Sequence, residues 1–256
     1  MKRALVLVVA GLLAAAGCGS SQQAAPAAPA PEQTATLNVS AAASLTSTFT
    51  EIGKQFEADN PGVKVALNFG ASSDLAQQIV QGSPADVFAA ANTSTMKTVT
   101  DAGLATNPQV FVTNVLEIAT QPGNPKAITG FAGLAAPGLT VVVCAPQVPC
   151  GAATEKVEQS TGVTLTPVSE EPDVKSVLAK VTTGNADAGL VYATDVIDAG
   201  SAVQGVPFPE AQNAVNQYPI VALTKAPQAE LAGKFVEYVL SENGQKVFEA
   251  AGFGTP

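Results

Sequence analysis

The feature that most constrains the fold is a strand-to-helix junction that occurs twice in the first third of the chain. In the first copy, a strand-like segment ends in Ala41–Ala43, and a helix rich in hydroxyl side chains begins at Ser44. In the second, the strand-like Val63–Phe69 runs into a helix that begins at Ser72 and Ser73. The start of a helix has backbone N–H groups without intrahelical partners and the positive end of the helix dipole. Each junction therefore predicts a place that can hold an anion, although Ser44 taken alone fits an ordinary helix cap equally well.

Strand-like and helix-like segments alternate along the rest of the chain, which favours α/β lobes with mostly parallel sheets and right-handed crossovers. Apolar residues recur at three- and four-residue spacings in the helical segments. The predicted strands are Leu37–Ser40, Val63–Phe69, Asp86–Ala91, Val110–Thr120, Leu139–Cys144, Val163–Pro167, Ala188–Val191, Ala202–Val206 and Tyr218–Leu223. The predicted helices are Leu45–Ala58, Leu75–Gln81, Ser94–Asp101, Gly151–Ser160, Val174–Thr183, Thr194–Ala199, Gln228–Leu240 and Glu242–Ala250.

Two long extended segments predict that the chain crosses between two lobes. The run Val110–Thr120 has Asn114 at its middle, and Tyr218–Leu223 leads back. We therefore expect a first lobe formed by residues 36–113 and 219–256 and a second lobe formed by residues 114–218, joined by a two-strand hinge. Ligands of open α/β sheets lie outside the carboxyl ends of the strands, so two such sheets facing each other would enclose one.

The N-terminal segment is typical of an exported lipoprotein. Lys2 and Arg3 precede an apolar run that ends in small residues and Cys18, and this run is too short to span a bilayer. We expect residues 1–17 to be a signal peptide and Cys18 to carry a lipid that anchors the protein to the outer face of the cytoplasmic membrane. An ordinary cleaved signal followed by a stray cysteine is the alternative. Residues 18–35 are rich in Pro, Ala, Gln and Ser and predict a disordered tether.

The charged residues exclude several mechanisms. The formal net charge is −9, and removal of Lys2 and Arg3 with the signal peptide leaves −11, which disfavours nucleic-acid binding. The mature chain has no histidine and no arginine. A His-based triad, a His metal site and a guanidinium clamp are therefore all excluded. An anion must be held by neutral N–H and O–H groups, helix starts or a lysine.

Cys144 and Cys150 remain once Cys18 is assigned to lipid. In an exported protein a disulfide is the expected state of such a pair, and it would restrain the short loop between the two residues. A redox-active or metal-binding pair is the alternative, but the spacing is not C-x-x-C.

Several segments together resemble the periplasmic molybdate-binding proteins of ABC importers. The match runs in order over nearly all of Thr36–Phe253 and is carried by AAASL (Ala41–Leu45), FGASSDLAQQI (Phe69–Ile79), GSPADVF (Gly82–Phe88), VPCG (Val148–Gly151), DVKSVL (Asp173–Leu178) and AGLVYATD (Ala188–Asp195). The resemblance implies a type II periplasmic-binding-protein fold that holds molybdate, and with it tungstate, in a cleft between two lobes. It also implies a monomer without a cofactor or catalytic activity, which delivers its ligand to an ABC permease and its ATPase.

The resemblance also implies the ligand-binding residues, all of them uncharged donors. The first lobe supplies the hydroxyls of Ser44 and Ser72, with Ser73 the neighbouring alternative to Ser72. The second lobe supplies two backbone amides and one phenol, which fall on Cys150, Val174 and Tyr192. The family often has alanine at the position of Cys150, so a disulfide there is a departure that we expect to stiffen the loop.

Other interpretations of these residues remain open. Val174 fits a core residue, Tyr192 a buried tyrosine with a satisfied hydroxyl, and Cys150 a purely structural half-cystine. The same fold could serve a sulfate receptor or a receptor for another tetrahedral oxyanion. A secreted serine hydrolase using Ser72 or Ser73 with a lysine base is a remote alternative, because no G-x-S-x-G or S-x-x-K pattern surrounds them. A thiol oxidoreductase built on Cys144 and Cys150 is a further one.

Overall fold

The computed structural model describes residues 35–256. The predicted signal peptide, Cys18 and the tether up to residue 34 lie outside the described residues. Ala35, predicted as the last residue of the tether, already belongs to the first strand. Among the described residues, no helix has both the length and the apolar character needed to cross a membrane.

The described residues form ten strands and eight α-helices, which alternate over much of the chain. The strands are β1 (Ala35–Ala42), β2 (Val63–Gly70), β3 (Val87–Ala89), β4 (Gln109–Asn114), β5 (Leu116–Thr120), β6 (Val141–Cys144), β7 (Ser169–Glu171), β8 (Ala188–Tyr192), β9 (Gln204–Val206) and β10 (Asn216–Ala222). The helices are α1 (Thr46–Asp59), α2 (Ser72–Val80), α3 (Thr93–Asp101), α4 (Pro149–Thr161), α5 (Val174–Thr182), α6 (Ala193–Ala199), α7 (Ala229–Leu240) and α8 (Glu242–Ala250).

The strands form two five-stranded sheets, in the orders β2-β1-β3-β10-β4 and β7-β6-β8-β5-β9. In the first sheet β1 runs parallel to β2 and β3, and only β10 is reversed relative to the other strands. In the second sheet β6 runs parallel to β7 and β8, and only β5 is reversed. Four of the five strands in each sheet therefore point the same way, so their carboxyl ends share an edge, where ligands of α/β sheets bind.

Each sheet is covered by the apolar faces of its helices. In the first, Phe49, Ile52 and Phe56 of α1 are at most 2% exposed and pack on β1. Phe49 also contacts the rings of Phe111 and Phe235, at centroid distances of 6.0 Å for both. The second sheet has a separate core that includes Val177 of α5 and Val157 of α4, together with the strand residues.

The chain passes between the sheets twice. The first passage is the single residue Val115 between β4 and β5, and the second is residues 207–215 between β9 and β10. β4 and β10 pair side by side, with Asn114 opposite Asn216. Asn114 and residues 216–218 thus pair in the first sheet, although the predicted division assigns them to the second lobe; the division itself stays a prediction. Both sheets belong to one compact unit.

The predicted strand Val163–Pro167 is wrong. Its alternating side chains resemble a strand, but its backbone N–H groups bond to side chains instead of a neighbouring strand: Val163 to Thr161 Oγ1 and Leu165 to Glu158 Oε1. Pro167 has no N–H to offer. The strand that pairs with the edge of β6 is instead β7, which begins two residues after Pro167.

Candidate functional site

Several helix starts converge on one cavity between the two sheets. The 3-10 turn Ala43–Leu45 before α1 and the start of α2 approach from the first sheet, and the starts of α4, α5 and α6 approach from the second. All five predicted ligand residues line this cavity, whereas Ser73 does not. The lining residues are Ala42, Ala43, Ser44, Gly70, Ala71, Ser72, Ala91, Val148, Pro149, Cys150, Asp173, Val174 and Tyr192.

The cavity is small. The space open to the centre of a water-sized sphere is about 20 Å³. One water needs about 10–15 Å³ by this measure, so a group of a few atoms fits and a sugar or peptide does not. Alanine and glycine form much of the wall, which brings backbone close to any occupant.

The first-sheet hydroxyls are both buried and both engaged. Ser44 Oγ lies 3.0 Å from the hydroxyl of Tyr218. Ser72, the first residue of α2, is 1% exposed, and its Oγ accepts a hydrogen bond from the backbone N–H of Ala91 at 3.0 Å. Because that bond occupies an acceptor position, the proton of Ser72 is available to an occupant of the cavity.

The start of α4 places the Cys150 amide at the cavity. Pro149 is the first residue of the helix and has no N–H, so the next one belongs to Cys150, which sits in the first turn where amides have no helical partner. Cys150 is joined to Cys144 in a disulfide. A Cβ at Gly151 would overlap the carbonyl of Ala145, so the closed loop lies directly against the helix start and only glycine fits there.

The start of α5 places the Val174 amide at the same cavity. Asp173 precedes the helix and caps it, accepting from the backbone N–H of Ser176 at 2.9 Å and from the Ser176 hydroxyl at 3.1 Å. The carboxylate that lines the cavity is thus occupied by its own helix. Val174 is the first residue of α5 and 3% exposed, so its side chain packs in the core while its amide belongs to the unpaired first turn.

Tyr192 joins the end of β8 to the start of α6 and is 1% exposed. Its hydroxyl accepts a hydrogen bond from Asn216 Nδ2 at 2.9 Å. Burial, and then the proximity of Tyr218 and Asp195, raises the pKa of the Tyr192 phenol well above its ordinary value. The phenol therefore keeps its proton and remains a donor.

Three polar residues of the hinge strands, Asn114, Asn216 and Tyr218, adjoin the site without lining the cavity, and no sequence pattern predicted a role for them there. All three are at most 5% exposed. Asn216 and Tyr218 lie two residues apart on β10, so their side chains point to the same side of the sheet. The signal that could have found them is a polar side chain inside an otherwise apolar strand, since a buried amide requires a partner.

No cation lines the cavity within the part of the chain that the structure describes. Lys175, next to Val174, instead contacts Asp195 Oδ1 at 3.0 Å and Asp198 Oδ2 at 2.9 Å. Burial alone would lower the pKa of Lys175, but the two carboxylates outweigh it and raise that pKa. Asp198 also accepts from the hydroxyl of Ser47 on α1 at 2.8 Å, which ties α6 to the helix of the other sheet.

The described residues contain no group of three or more His, Cys, Asp or Glu side chains arranged to hold a metal ion. The donors around the cavity are hydroxyls and amides, which suit an anion rather than a bare cation.

Comparison with known proteins places these features in a family. The family model described as a bacterial extracellular solute-binding protein matches residues 37–254. The chain belongs to this family.

Among the relatives of this solute-binding protein, the molybdate-binding protein ModA of Mycobacterium tuberculosis H37Rv is 49% identical over 251 residues, which is 98% of this chain and 95% of the relative. The solved structure of the Azotobacter vinelandii periplasmic molybdate-binding protein matches with a TM-score of 0.75 at 22% identity, over 86% of this chain and 99% of that one. The sulfate-binding protein SubI of M. tuberculosis matches with a TM-score of 0.74 at 18% identity, over 86% of each chain. At such identities the two structures show the fold alone, and the predicted two-lobed α/β fold is confirmed.

Proposed function

We propose that this protein binds molybdate reversibly in the cavity between its two sheets, outside the cytoplasm, and delivers it to an ABC permease and its ATPase. The observation that carries the proposal is that Ser44, Ser72, Cys150, Val174 and Tyr192 all line one small cavity without a lysine. The 49%-identical relative named as a molybdate-binding protein supports the choice of ligand. No bond of the ligand is made or broken.

Binding rests on the sum of neutral hydrogen bonds to a doubly charged anion. The hydroxyls of Ser44, Ser72 and Tyr192 and the amides of Cys150 and Val174 are the donors. Each bond to a charged group contributes about 1.5–3 kcal/mol when the donor is already in place. Five such bonds sum to about 7.5–15 kcal/mol, whereas a Kd of 1 μM requires about 8.2 kcal/mol. Sub-micromolar affinity therefore needs contributions toward the upper end of that range once the costs of dehydrating the anion and closing the lobes are subtracted.

The same donors select among oxyanions. A protonated oxyanion carries an O–H that needs an acceptor, so phosphate, often protonated near neutral pH, is disfavoured. Tungstate has the charge and shape of molybdate and should bind as well. Sulfate is also fully ionised, and its rejection requires a cavity that fits the longer metal–oxygen bonds.

The remaining parts of the proposal concern where the protein works. We propose that it acts as a monomer anchored by lipid on Cys18, with the tether giving it reach to the permease. Mass spectrometry of the membrane-extracted protein tests the anchor: a diacylglyceryl mass on an N-terminal Cys18 is expected, and an unmodified Cys18 would contradict it.

The enzyme alternatives lack support in the described residues. No lysine amine there bonds to Ser72 or Ser73, so nothing activates either hydroxyl as a nucleophile. Cys144 and Cys150 are 2% and 3% exposed, which is unlike the accessible thiol of an oxidoreductase.

Isothermal titration calorimetry with molybdate, tungstate, sulfate and phosphate tests the function. We expect molybdate and tungstate to bind with sub-micromolar Kd, sulfate at least about 100-fold more weakly, and phosphate more weakly than sulfate. The double variant Ser44→Ala/Ser72→Ala is the control that shows the heat comes from the cavity. Sulfate binding as tight as molybdate binding would favour the sulfate-receptor alternative.

A further inference from the structure

Asn216 is a buried amide that contacts both lobes at the cavity. It is 5% exposed and lies at the start of β10. Its Nδ2 donates to the carbonyl of Ala91 at 2.7 Å, on the first-sheet side, and to the hydroxyl of Tyr192 at 2.9 Å, on the second-sheet side. Ala91 and Tyr192 both line the cavity, whereas Asn216 lies behind them.

The Ala91 carbonyl fixes which way this amide points. A carbonyl oxygen can only accept, so the group that faces it must be the NH2 of Asn216 and not its oxygen. The second N–H of the same nitrogen then meets the Tyr192 oxygen. The Tyr192 hydroxyl is therefore an acceptor toward Asn216, and its own proton must be donated elsewhere.

We propose that Asn216 is a specificity-determining positioning residue, which directs the Tyr192 proton to the ligand and so makes this hydroxyl a donor only. The inference rests on the proposed function. An oxyanion that carries a proton would find no lone pair at Tyr192 to accept it, whereas a fully ionised one receives a hydrogen bond.

Ser72, a second cavity hydroxyl, is arranged in the same sense. Ala91, whose carbonyl accepts from Asn216, also donates its backbone N–H to Ser72 Oγ, so this serine too has an occupied acceptor position. Ser44 Oγ meets the hydroxyl of Tyr218. Asn114, opposite Asn216 across β4 and β10, donates to Thr194 Oγ1 at 2.8 Å. Burial raises the pKa of the Tyr218 phenol, which therefore keeps its proton.

The substitution Asn216→Asp tests the proposal because it keeps the shape and replaces the donor by an acceptor. At about pH 8.5 the new carboxylate accepts a hydrogen bond from the Tyr192 hydroxyl, which then no longer donates to the ligand. We expect molybdate affinity to fall about 10- to 100-fold. Burial raises the pKa of the new carboxyl group, so lowering the pH to about 5.5 protonates it and restores a donor. Affinity should then recover most of the loss, while the wild-type affinity stays nearly constant.

Two controls separate the reorientation of the Tyr192 hydroxyl from the effect of the added negative charge. Asn213→Asp adds the same charge at an exposed position of the same segment, and we expect wild-type affinity at both pH values. In a double-mutant cycle, Asn216→Asp is also measured in a Tyr192→Phe background. Phenylalanine has no hydroxyl to reorient, so in that background only direct repulsion between the carboxylate and the anion remains. The cycle should therefore give a coupling of about 10-fold or more.

Selectivity gives a readout that a merely structural role would not change. We expect the ratio of molybdate to phosphate affinity to narrow by about 10-fold in Asn216→Asp at about pH 8.5, because the turned hydroxyl now offers a lone pair. If that variant does not fold, Asn216→Leu removes the donor without charge, and the ratio should narrow without any recovery at low pH.

Two results with Asn216→Asp would overturn the role of Asn216. One is an equal loss of affinity for all oxyanions that does not recover at low pH, and the other is an unchanged ratio of molybdate to phosphate affinity. Failure of the wild-type protein to bind molybdate would instead overturn the proposed function. The two failures are thus distinguishable in one set of titrations.

Discussion

At the scale of single residues, the site turns on the difference between two adjacent serines. Ser72 Oγ is fixed by the Ala91 amide and lines the cavity, whereas Ser73 Oγ is buried without a hydrogen-bond partner and lies outside it. Successive residues of a helix point in different directions, so the choice depends on the position at which the helix begins. The family resemblance implied Ser72, and Ser72 lines the cavity.

The three serines give a matched set of variants. We expect Ser44→Ala and Ser72→Ala each to weaken molybdate binding by about 1–3 kcal/mol, because each removes a donor to a charged ligand. Ser73→Ala should leave the affinity unchanged and leave the free energy of unfolding equal or slightly higher, since its hydroxyl has no partner to lose. Calorimetry and urea unfolding measure the two quantities. Unchanged affinity in both Ser44→Ala and Ser72→Ala would mean that the ligand binds elsewhere.

At the scale of elements, Lys175 connects the helices that carry two of the proposed ligand contacts. It lies one residue after Val174 at the start of α5 and pairs with Asp195 and Asp198 of α6, the helix that begins after Tyr192. Asp195 in turn accepts from the backbone N–H of Tyr192 at 3.1 Å. Burial raises the pKa of Asp195 even beside this lysine. The relative position of the two helix starts therefore depends on an ion pair between a buried carboxylate and a partly exposed lysine.

We expect Lys175→Met to lower the free energy of unfolding by about 3–5 kcal/mol at neutral pH, because it leaves the Asp195 carboxylate buried without a counter-charge. Lowering the pH protonates Asp195 and should narrow the difference from wild type. The pKa of Lys175 is raised, so its stabilisation is complete below the unfolded lysine pKa of about 10.4 and is lost as the pH rises through the folded value.

Lys97→Met is the matched control for this experiment. Lys97 pairs with Asp101 on the surface of α3, where both side chains are more than half exposed, and its loss should change the free energy of unfolding by less than about 1 kcal/mol. Urea unfolding at several pH values measures all three proteins. Equal, small effects of the two lysine variants would show that the Asp195 pair contributes little.

At the scale of the whole molecule, an acidic protein binds an anion. The formal net charge is −9, yet the proposed ligand carries two negative charges. Attraction by net charge therefore cannot bring the ligand in, and affinity must come from short-range donors that act once the anion is inside the cavity.

Stopped-flow mixing at two ionic strengths tests whether the net charge of the protein repels the incoming anion. Raising the salt from about 0.01 M to about 0.15 M shortens the screening length from about 30 Å to about 8 Å. We expect the association rate constant for molybdate to rise severalfold as repulsion is screened, with little change in the dissociation rate constant, because the buried donors are not screened. An association rate constant that falls with salt would indicate a positively charged entrance that the net charge conceals.

The whole molecule also shows which features of the fold and the site could be predicted from the sequence. Alternating segments predicted the two sheets, and the helix starts predicted places that can hold an anion, because both depend on local pattern. The individual residues that line the cavity came from the family resemblance. The contacts of Asn216 with Ala91 and of Ser44 with Tyr218 join residues 125 and 174 positions apart, and no local pattern encodes them. Val163–Pro167 failed because side-chain acceptors competed for its backbone N–H groups.

The placement of the tyrosines has a practical consequence. The chain has no tryptophan and three tyrosines, two of which, Tyr192 and Tyr218, lie in the hydroxyl network at the cavity, with ring centroids 6.0 Å apart. Ultraviolet emission from this protein is thus phenolic, and two of its three phenol rings lie beside the proposed anion site. Occupancy can be followed optically in the unlabelled protein, without a competing indole signal.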